Sequence, residues 1–135
     1  MSWKQGPYKI SSDPALLSID KTCELLSKTY WAANRPREVI AESIRNSVCY
    51  GVYCGEEQIG FGRVVTDHAT VYYICDVIVD EKYRDKGLGK RLVQCITDDF
   101  YNKLGILATK DAHELYQQFG FTRDEKSFMR RLPVR

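Results

Sequence analysis

The sequence has little excess charge and no long apolar run, and each of these shortages excludes a class of partner. The 20 basic residues against 18 acidic residues leave a net charge of +2. This balance gives no electrostatic reason to expect nucleic acid or a membrane surface as a partner. No apolar run approaches the roughly 20 residues that a membrane-spanning helix needs. The first residues, Met-Ser-Trp-Lys-Gln, also lack the pattern of a secretory signal.

Metal-binding patterns are missing as well. The chain has two histidines, His68 and His113, and five cysteines without a Cys-x-x-Cys pair. Their spacing matches no zinc pattern, so we expect no metal site. An odd number of cysteines, most of them at core-like positions, predicts reduced thiols and a cytoplasmic protein. The cysteines are Cys23, Cys49, Cys54, Cys75 and Cys95.

Length and hydrophobic patterning indicate one α/β domain over residues 1–135. With 44% hydrophobic and 28% charged residues, the composition is that of an ordinary globular protein. Strand patterns precede, separate and follow helical patterns, which predicts a mixed sheet flanked by helices. We expect strands at residues 8–11, 47–54, 58–66, 73–79, 105–109 and 126–131. We expect helices at residues 19–30, from about residue 36, at 87–100 and at 112–119, with Ser18 and Asp111 as N-caps and Gly120 as the left-handed residue past the last helix.

Residues 75–94 read as a buried strand, a charged loop with two glycines, and an amphipathic helix. Gly87 and Gly89 let consecutive backbone N–H groups turn toward one point. The helix that follows adds unpaired first-turn N–H groups and the positive end of its dipole. This order of elements predicts a phosphate-binding site.

Two familiar phosphate loops do not fit the spacing. Walker A would need Gly at Arg84 and Ser or Thr at Arg91, and the dinucleotide fingerprint would need Gly at Leu92. What remains is Arg84-x-x-Gly87-x-Gly89 after a Val-Ile-Val strand. This hexapeptide resembles the pyrophosphate loop of the GNAT superfamily of acyl-CoA N-acyltransferases.

A second segment strengthens the resemblance. Residues 111–121, Asp-Ala-His-Glu-Leu-Tyr-Gln-Gln-Phe-Gly-Phe, are similar to the GNAT helix and turn in which Ala, a Leu-Tyr pair and Gly-Phe recur at this spacing. The two segments also stand in the family's order. On these motifs the chain is identified as a member of the GNAT superfamily. The resemblance implies a fold with splayed central strands and an N-acetyltransferase that uses acetyl-CoA as co-substrate.

The resemblance also implies which residues bind the cofactor. The splayed strand would hold the pantetheine arm through its backbone, because diverging strands expose unpaired N–H and C=O groups. The loop would hold the pyrophosphate, and the short helix near the C-terminus would contact the cofactor arm. The strand positions are Val77, Ile78 and Val79, and the others are Arg84, Asp85, Lys86, Gly87, Leu88, Gly89, Lys90, Asp111 and Leu115.

Two of these residues depart from the family pattern. Asp85 stands where Gly is most common and adds a carboxylate beside the expected phosphates, so its side chain has to face solvent or weaken binding. Asp111 stands where Asn is usual, which keeps a helix cap but alters any contact with the cofactor arm.

The implied reaction is direct transfer of the acetyl group to an amine in a ternary complex. Tyr116 occupies the family's Tyr position and is the predicted general acid for the departing thiolate. A backbone N–H near Val77 would stabilise the oxyanion. For Asp76, three roles stay open: general base, anchor for the substrate ammonium, or cap for a buried backbone group.

The acceptor is expected at the connection between the first two helices, residues 30–35. Tyr30 and Trp31 are candidates to line it, although aromatic residues that end an amphipathic helix also suit a core. The acceptor class stays open between a small molecule and a protein amine, and the assembly between monomer and homodimer. Two alternative functions are a non-catalytic acyl-CoA sensor, against which Tyr116 argues, and a partner-binding subunit, which would need no phosphate loop.

Overall fold

The computed structural model describes residues 1–134, and within them six strands form one mixed sheet with α-helices on both faces. The predicted α/β class, a mixed sheet flanked by helices, is therefore confirmed. The strands are β1 (Ser2–Gln5), β2 (Tyr8–Ser11), β3 (Val48–Cys54), β4 (Glu57–Thr66), β5 (Val71–Val79) and β6 (Leu104–Leu107). The α-helices are α1 (Ile19–Leu26), α2 (Arg37–Arg45), α3 (Leu88–Asp99) and α4 (His113–Gln117).

The strands follow one another across the sheet in chain order, from β1 to β6. Strands β1 to β5 are antiparallel neighbours, whereas β6 runs parallel to β5. The parallel pairing runs from Val71 opposite Leu104 to Ile74 opposite Leu107. Strand β5 then continues to Val79 while β6 ends, so the sheet opens at this point.

A bulge at Cys75 sets which side chains of β5 face which helices. Arg63 of β4 pairs with Asp76, but the next residue, Val64, pairs with Ile74. Cys75 therefore has no counterpart in β4, and the alternation of side chains shifts by one residue. As a result the side chains of Ile74 and Val77 both lie on the face of the sheet that α3 covers, whereas that of Asp76 lies on the face of α1 and α2.

Two buried clusters hold the helices against the two faces of the sheet. On one face α3 contributes Leu92 and Ile96, which are fully buried. Gly62 of β4 lets α3 approach, since a Cβ there would lie 3.3 Å from the Leu92 side chain. On the other face Leu25 of α1 packs with Phe61 of β4. Each such buried apolar side chain contributes about 1.5–3 kcal/mol of transfer free energy.

Two predicted helix-end signals are confirmed, and one is wrong. The Ser18 hydroxyl accepts a hydrogen bond from the backbone N–H of Lys21 at 3.1 Å, as an N-cap should. Gly120 has φ +89, in the left-handed region past α4. Asp111 is not the N-cap of α4, which begins at His113 without a side-chain cap.

The predicted strand at residues 126–131 is wrong, because in the described residues this segment forms a turn and irregular chain. A strand needs a neighbour to pair with, and the local sequence cannot show whether one is available. Phe128 and Met129 are exposed as a consequence. Strand β1, which the sequence analysis does not identify, instead forms a hairpin with β2 through Gly6 at φ +59.

Among residues 1–134, no helix combines the length and apolar composition that crossing a membrane requires. The same residues contain no group of three or more His, Cys, Asp or Glu side chains placed to hold a metal ion. All five cysteines are unpaired.

Candidate active site

The opening between β5 and β6 forms the centre of the candidate site. Strand β6 stops at Leu107, opposite Ile74, and in the described part of the chain no other strand takes its place beside residues 75–79. The free edge of β5 therefore presents backbone N–H and C=O groups that a ligand with amide groups can pair. The predicted pantetheine-binding residues, Val77, Ile78 and Val79, lie on this edge.

The chain leaves β5 through a 3₁₀ turn, Glu81–Tyr83, and reaches the glycine loop. Asp80 caps this turn by accepting a hydrogen bond from the Lys82 N–H at 3.0 Å. Arg84 Nε donates to the carbonyl oxygen of Val79 at 3.1 Å. This bond fixes the predicted anion-binding guanidinium beside the end of β5, where its remaining N–H groups can serve an anion.

Gly87 turns the chain into α3. Its φ of +75 is left-handed, and α3 begins at Leu88. The Arg91 N–H donates to the Gly87 carbonyl at 3.0 Å, so the N–H groups that precede Arg91 in the first turn have no intrahelical acceptor. They also carry the positive end of the helix dipole. Gly89 lies in this turn, and a Cβ added to it would meet Val79 Cγ2 at 3.9 Å.

The other predicted loop residues differ in how they can contribute. Asp85, Lys86 and Lys90 are exposed, whereas the Leu88 side chain is buried in the core, which leaves its backbone N–H for an anion. Asp85 has φ +67. Glycine adopts this conformation without strain, and Asp tolerates it better than most residues. This tolerance explains how Asp85 can occupy a position at which Gly is the more common residue.

Asp76 lies on the other face of β5 from Val77 and is surrounded by donors. Its Oδ1 accepts from Trp31 Nε1 at 2.7 Å. Its Oδ2 accepts from Arg63 Nε at 2.8 Å and from Arg35 Nη1 at 3.1 Å. The Asp76 side chain is 0% exposed, so these three donors replace water around the carboxylate.

This environment makes Asp76 a poor proton acceptor. Burial raises the pKa of the carboxyl group, but the hydrogen bond and charge of Arg63, the charge of Arg35 and the Trp31 N–H outweigh burial and lower the pKa below its ordinary value. A carboxylate that is ionised, paired with cations and closed to solvent is a weak base. The geometry therefore disfavours the role of Asp76 as general base.

Tyr30 and Trp31 lie across the opening between the two strands. Trp31 is 39% exposed and is bound to Asp76 on β5 through its indole N–H. Tyr30, 60% exposed, stands edge-on to Trp31 with ring centroids 5.1 Å apart. The Lys110 ammonium, just past the end of β6, lies 5.5 Å from the Tyr30 ring centroid. The two aromatic residues thus contact both sides of the opening, where the sequence analysis expects the acceptor.

Tyr116 lies on α4 among core residues. Its ring packs edge-on against Phe121 with centroids 6.0 Å apart. Burial raises the pKa of Tyr116 to about 12, with smaller contributions from the charges of Asp111 and Tyr30. The hydroxyl is therefore protonated at neutral pH and able to donate. Leu115 is partly buried against the same core, while Asp111 is exposed.

Arg63 and Lys110 belong to the site although the sequence analysis does not identify them. A signal for Arg63 does exist, because a single charged residue inside the apolar run of β4 needs a buried partner. Lys110 carries no such signal, since its position depends on where β6 ends.

Acetyltransferases and candidates for that activity are among the known proteins that this chain matches. The family model of the acetyltransferase (GNAT) domain matches residues 45–123. A candidate acetyltransferase of the GNAT family from Xanthomonas campestris has a solved structure with 33% identity and a TM-score of 0.88, covering 96% of each chain. A GNAT family acetyltransferase from Elizabethkingia anophelis, solved with acetyl-CoA bound, has 20% identity and a TM-score of 0.68, covering 90% of this chain and 80% of that one.

The curated relatives are longer proteins. A candidate acetyltransferase of Gibberella zeae is 28% identical over an alignment of 117 residues, and the match covers 72% of this chain and 66% of that protein. Across four of the curated relatives that it matches, the chain spans between 31% and 66% of their length.

We expect Asp76→Asn to destabilise the fold, because it leaves two guanidinium groups without their carboxylate. Loss of one partner from a buried ion pair costs about 3–5 kcal/mol. Because the folded-state pKa of Asp76 is lowered, its stabilising effect is complete above the ordinary value of 3.8 and is lost as the pH falls through the lower folded-state value. Denaturant unfolding of wild type and variant should therefore show a large difference at pH 7 and a smaller one at pH 3.

Asp20→Asn is the matched control, because Asp20 is an exposed carboxylate paired with Arg37. An exposed pair adds little to stability, so this variant should unfold nearly as wild type does. Equal losses of unfolding free energy in the two variants would contradict the role of the buried network. A stability difference between wild type and Asp76→Asn that grows as the pH falls would contradict it as well.

Proposed function

The chain belongs to the GNAT family of acetyltransferases, and on that basis we propose that it moves the acetyl group of acetyl-CoA directly to an amine within a ternary complex. The observation that carries this proposal is that four features of the chain suit a bound acetyl-CoA and its acceptor. These are the unpaired edge of β5, the first turn of α3, the buried Tyr116 and the exposed pair of aromatic residues. We further propose that residues 1–135 act as one domain.

Acetyl-CoA would lie along the opening, with its pantetheine amides paired to the β5 backbone at Val77, Ile78 and Val79. Its pyrophosphate would bind the first-turn N–H groups of α3, from Gly87 through Lys90, with charge from Arg84 and Lys90. The exposure of Asp85 supports this arrangement, because its carboxylate can stay in water. Asp111 and Leu115 would border the cofactor arm from the side of α4. The acetyl-CoA bound in the Elizabethkingia anophelis protein supports the choice of ligand.

The proposed chemistry forms one C–N bond and breaks one C–S bond. The neutral amine attacks the thioester carbonyl, and a backbone N–H near Val77 stabilises the oxyanion. As the intermediate collapses, Tyr116 donates its proton to the departing sulfur. A free thiol has a pKa of about 8.5. The burial that raises the pKa of Tyr116 also raises that of a thiolate formed beside it, which keeps the proton transfer feasible.

The amine needs no side-chain base in this proposal. Arg35 and Arg63 are both bound to the Asp76 carboxylate, which makes it a weak base. Water can then take the proton that the amine loses. We therefore propose that Asp76 orders the acceptor side of the site rather than acting as the base.

Direct transfer is also supported by the state of the nearest thiol. Cys75 is the bulged residue of β5, beside Asp76. Burial raises the pKa of the Cys75 thiol, and a protonated thiol is a weak nucleophile. An acetyl-enzyme intermediate on this residue is not required, because the amine can reach the thioester directly.

The cell compartment and partners follow from simpler observations. Five unpaired cysteines suit a reducing compartment, so we propose that the protein acts in the cytoplasm. The acceptor would be an amine of a small molecule or protein, with neither nucleic acid nor membrane as a partner, and the protein would act as a monomer or homodimer.

A turnover screen tests the proposal. Acetyl-CoA is incubated with the protein and with amines of several classes, and thiol release is measured against reactions without amine. Amine-dependent release together with an acetylated amine, detected by mass spectrometry, is the expected result. Tight binding of acetyl-CoA without amine-dependent release from any class would favour the non-catalytic sensor.

Two substitutions of Gly89 test the phosphate-binding turn. We expect Gly89→Asp to weaken CoA binding by about tenfold or more, since a carboxylate in the first turn of α3 repels phosphate. Gly89→Ala is the control, because the nearest atom to an added Cβ is 3.9 Å away, so the methyl group fits. Calorimetric titration of both folded variants is the measurement. Equal affinity for CoA in the two variants would remove this turn from the site.

Tyr116→Phe tests the general acid. The change removes one oxygen atom and keeps the ring that packs on Phe121, so the fold should survive. Turnover should fall by about 10²–10⁴-fold, with a much smaller change in KM for acetyl-CoA. Tyr101→Phe, at an exposed tyrosine, is the control and should retain activity. Turnover of Tyr116→Phe within a fewfold of wild type, with chemistry limiting the rate, would exclude the acid role.

A further inference from the structure

We propose that the acceptor amine carries an anionic oxyacid group, a carboxylate or a phosphate, and that the guanidinium of Arg35 binds this group. The inference rests on the proposed acetyl transfer and specifies its substrate class. It depends on three observations: the charge balance around Asp76, the unequal engagement of its two arginines, and the position of Arg35 beside the opening.

Two guanidinium groups surround the single carboxylate of Asp76, so one positive charge has no counterion in the part of the chain that the structure describes. Arg63 and Arg35 both bind Oδ2 of this carboxylate, and within residues 1–134 neither forms a salt bridge with another acid. An excess charge that is partly withdrawn from water is costly without a counterion, so an anion that binds here gains more than it would at an open surface.

The two arginines are not equally engaged. Arg63 has a side chain 13% exposed, and it donates to Asp76 through Nε and to Ser47 Oγ through Nη1 at 3.2 Å. Arg35 has a side chain 24% exposed and, among the described residues, donates one side-chain hydrogen bond, from Nη1 to Asp76. A guanidinium has five N–H donors. Arg35 therefore keeps donors that can reach an incoming ligand, while Arg63 serves the fold.

Arg35 is held in place next to the expected acceptor. Its backbone N–H donates to the Ala32 carbonyl at 3.1 Å, which closes the turn that follows Trp31. Its guanidinium and the Trp31 indole bind the two oxygens of the same carboxylate. Asp76 in turn precedes Val77, near which the oxyanion is expected. An oxyacid group bound by Arg35 would accordingly place its own amine at the opening, beside Tyr30 and Trp31.

The chemistry of a guanidinium favours this ligand class. Arg binds carboxylate and phosphate through paired, charge-assisted hydrogen bonds with a fixed geometry. A polyamine, by contrast, would bring further positive charge to a site that already has an excess of it. The structure thus favours an anionic amine over a polycation.

Matched acceptors test the inference with acetyl-CoA as donor. Each pair shares one amine and differs in charge: phenylalanine with phenylalaninamide, and phosphoethanolamine with ethanolamine, with spermidine as the polycation. The amide has the more readily deprotonated amine, so intrinsic reactivity favours the uncharged member. We expect kcat/KM to be at least about tenfold higher for an anionic member than for its uncharged partner.

Three variants assign this preference to Arg35. Arg35→Gln should lower kcat/KM for the anionic acceptor about 10- to 100-fold and change that for its uncharged partner little. Arg35→Lys, which keeps the charge but loses the paired donors, should fall between wild type and Arg35→Gln. Arg37→Gln is the control, because Arg37 is exposed on α2 and pairs with Asp20 outside the site. It should behave as wild type does.

The outcomes separate this inference from the proposed function. Three results would overturn the anion site and leave acetyl transfer intact. Turnover could be equal for anionic and uncharged acceptors, or it could be fastest for spermidine. Arg35→Gln could also impair turnover of the anionic and the uncharged acceptor equally. If no amine is acetylated, the proposed function fails, and calorimetric titration of the same anionic compounds into the protein–CoA complex decides the inference. Binding that Arg35→Gln weakens would then support the anion site, and lack of binding would refute it.

Discussion

The limited pairing of β5 with β6 is the constraint on which the candidate site depends. The two strands pair from Val71 to Ile74, and β5 then continues to Val79 with one edge free. A free edge inside a domain is costly, because its N–H and C=O groups lose water without gaining partners. An extended ligand that carries amides removes this cost. The opening therefore accounts for both the position of the site and the type of ligand that we propose.

The acceptor side depends on a second constraint, the buried carboxylate of Asp76. The bulge at Cys75 turns Asp76 toward α1 and α2, where Trp31, Arg35 and Arg63 converge on it. Buried ion pairs contribute little net stability, since desolvation offsets most of the attraction, but they specify geometry. Here the network ties the connection between α1 and α2 to the centre of the sheet. The Asp76 carboxylate thereby positions both Trp31, beside the expected acceptor, and Arg35, the arginine of the proposed anion site.

The sequence was informative where a feature is local and uninformative where it depends on distant partners. The loop at Arg84, Gly87 and Gly89 is encoded by adjacent residues, so its place at the end of β5 could be predicted. The surroundings of Asp76 could not, because they require a one-residue bulge and an arginine thirteen positions away, Arg63. The pattern at residues 126–131 likewise suits a strand but cannot show whether a partner is available. Asp111 suits a helix cap, yet α4 starts two residues later, at His113.

Backbone hydrogen exchange by NMR, with and without saturating CoA, is the sharpest test of cofactor binding at the opening between β5 and β6. If CoA occupies the opening, exchange should slow at the N–H groups of residues 75–79 that face β6 and at those of the first turn of α3. Exchange in the β1–β2 hairpin should not change, which provides an internal reference. Saturable binding of CoA that leaves residues 75–79 and the first turn of α3 unprotected would contradict the account.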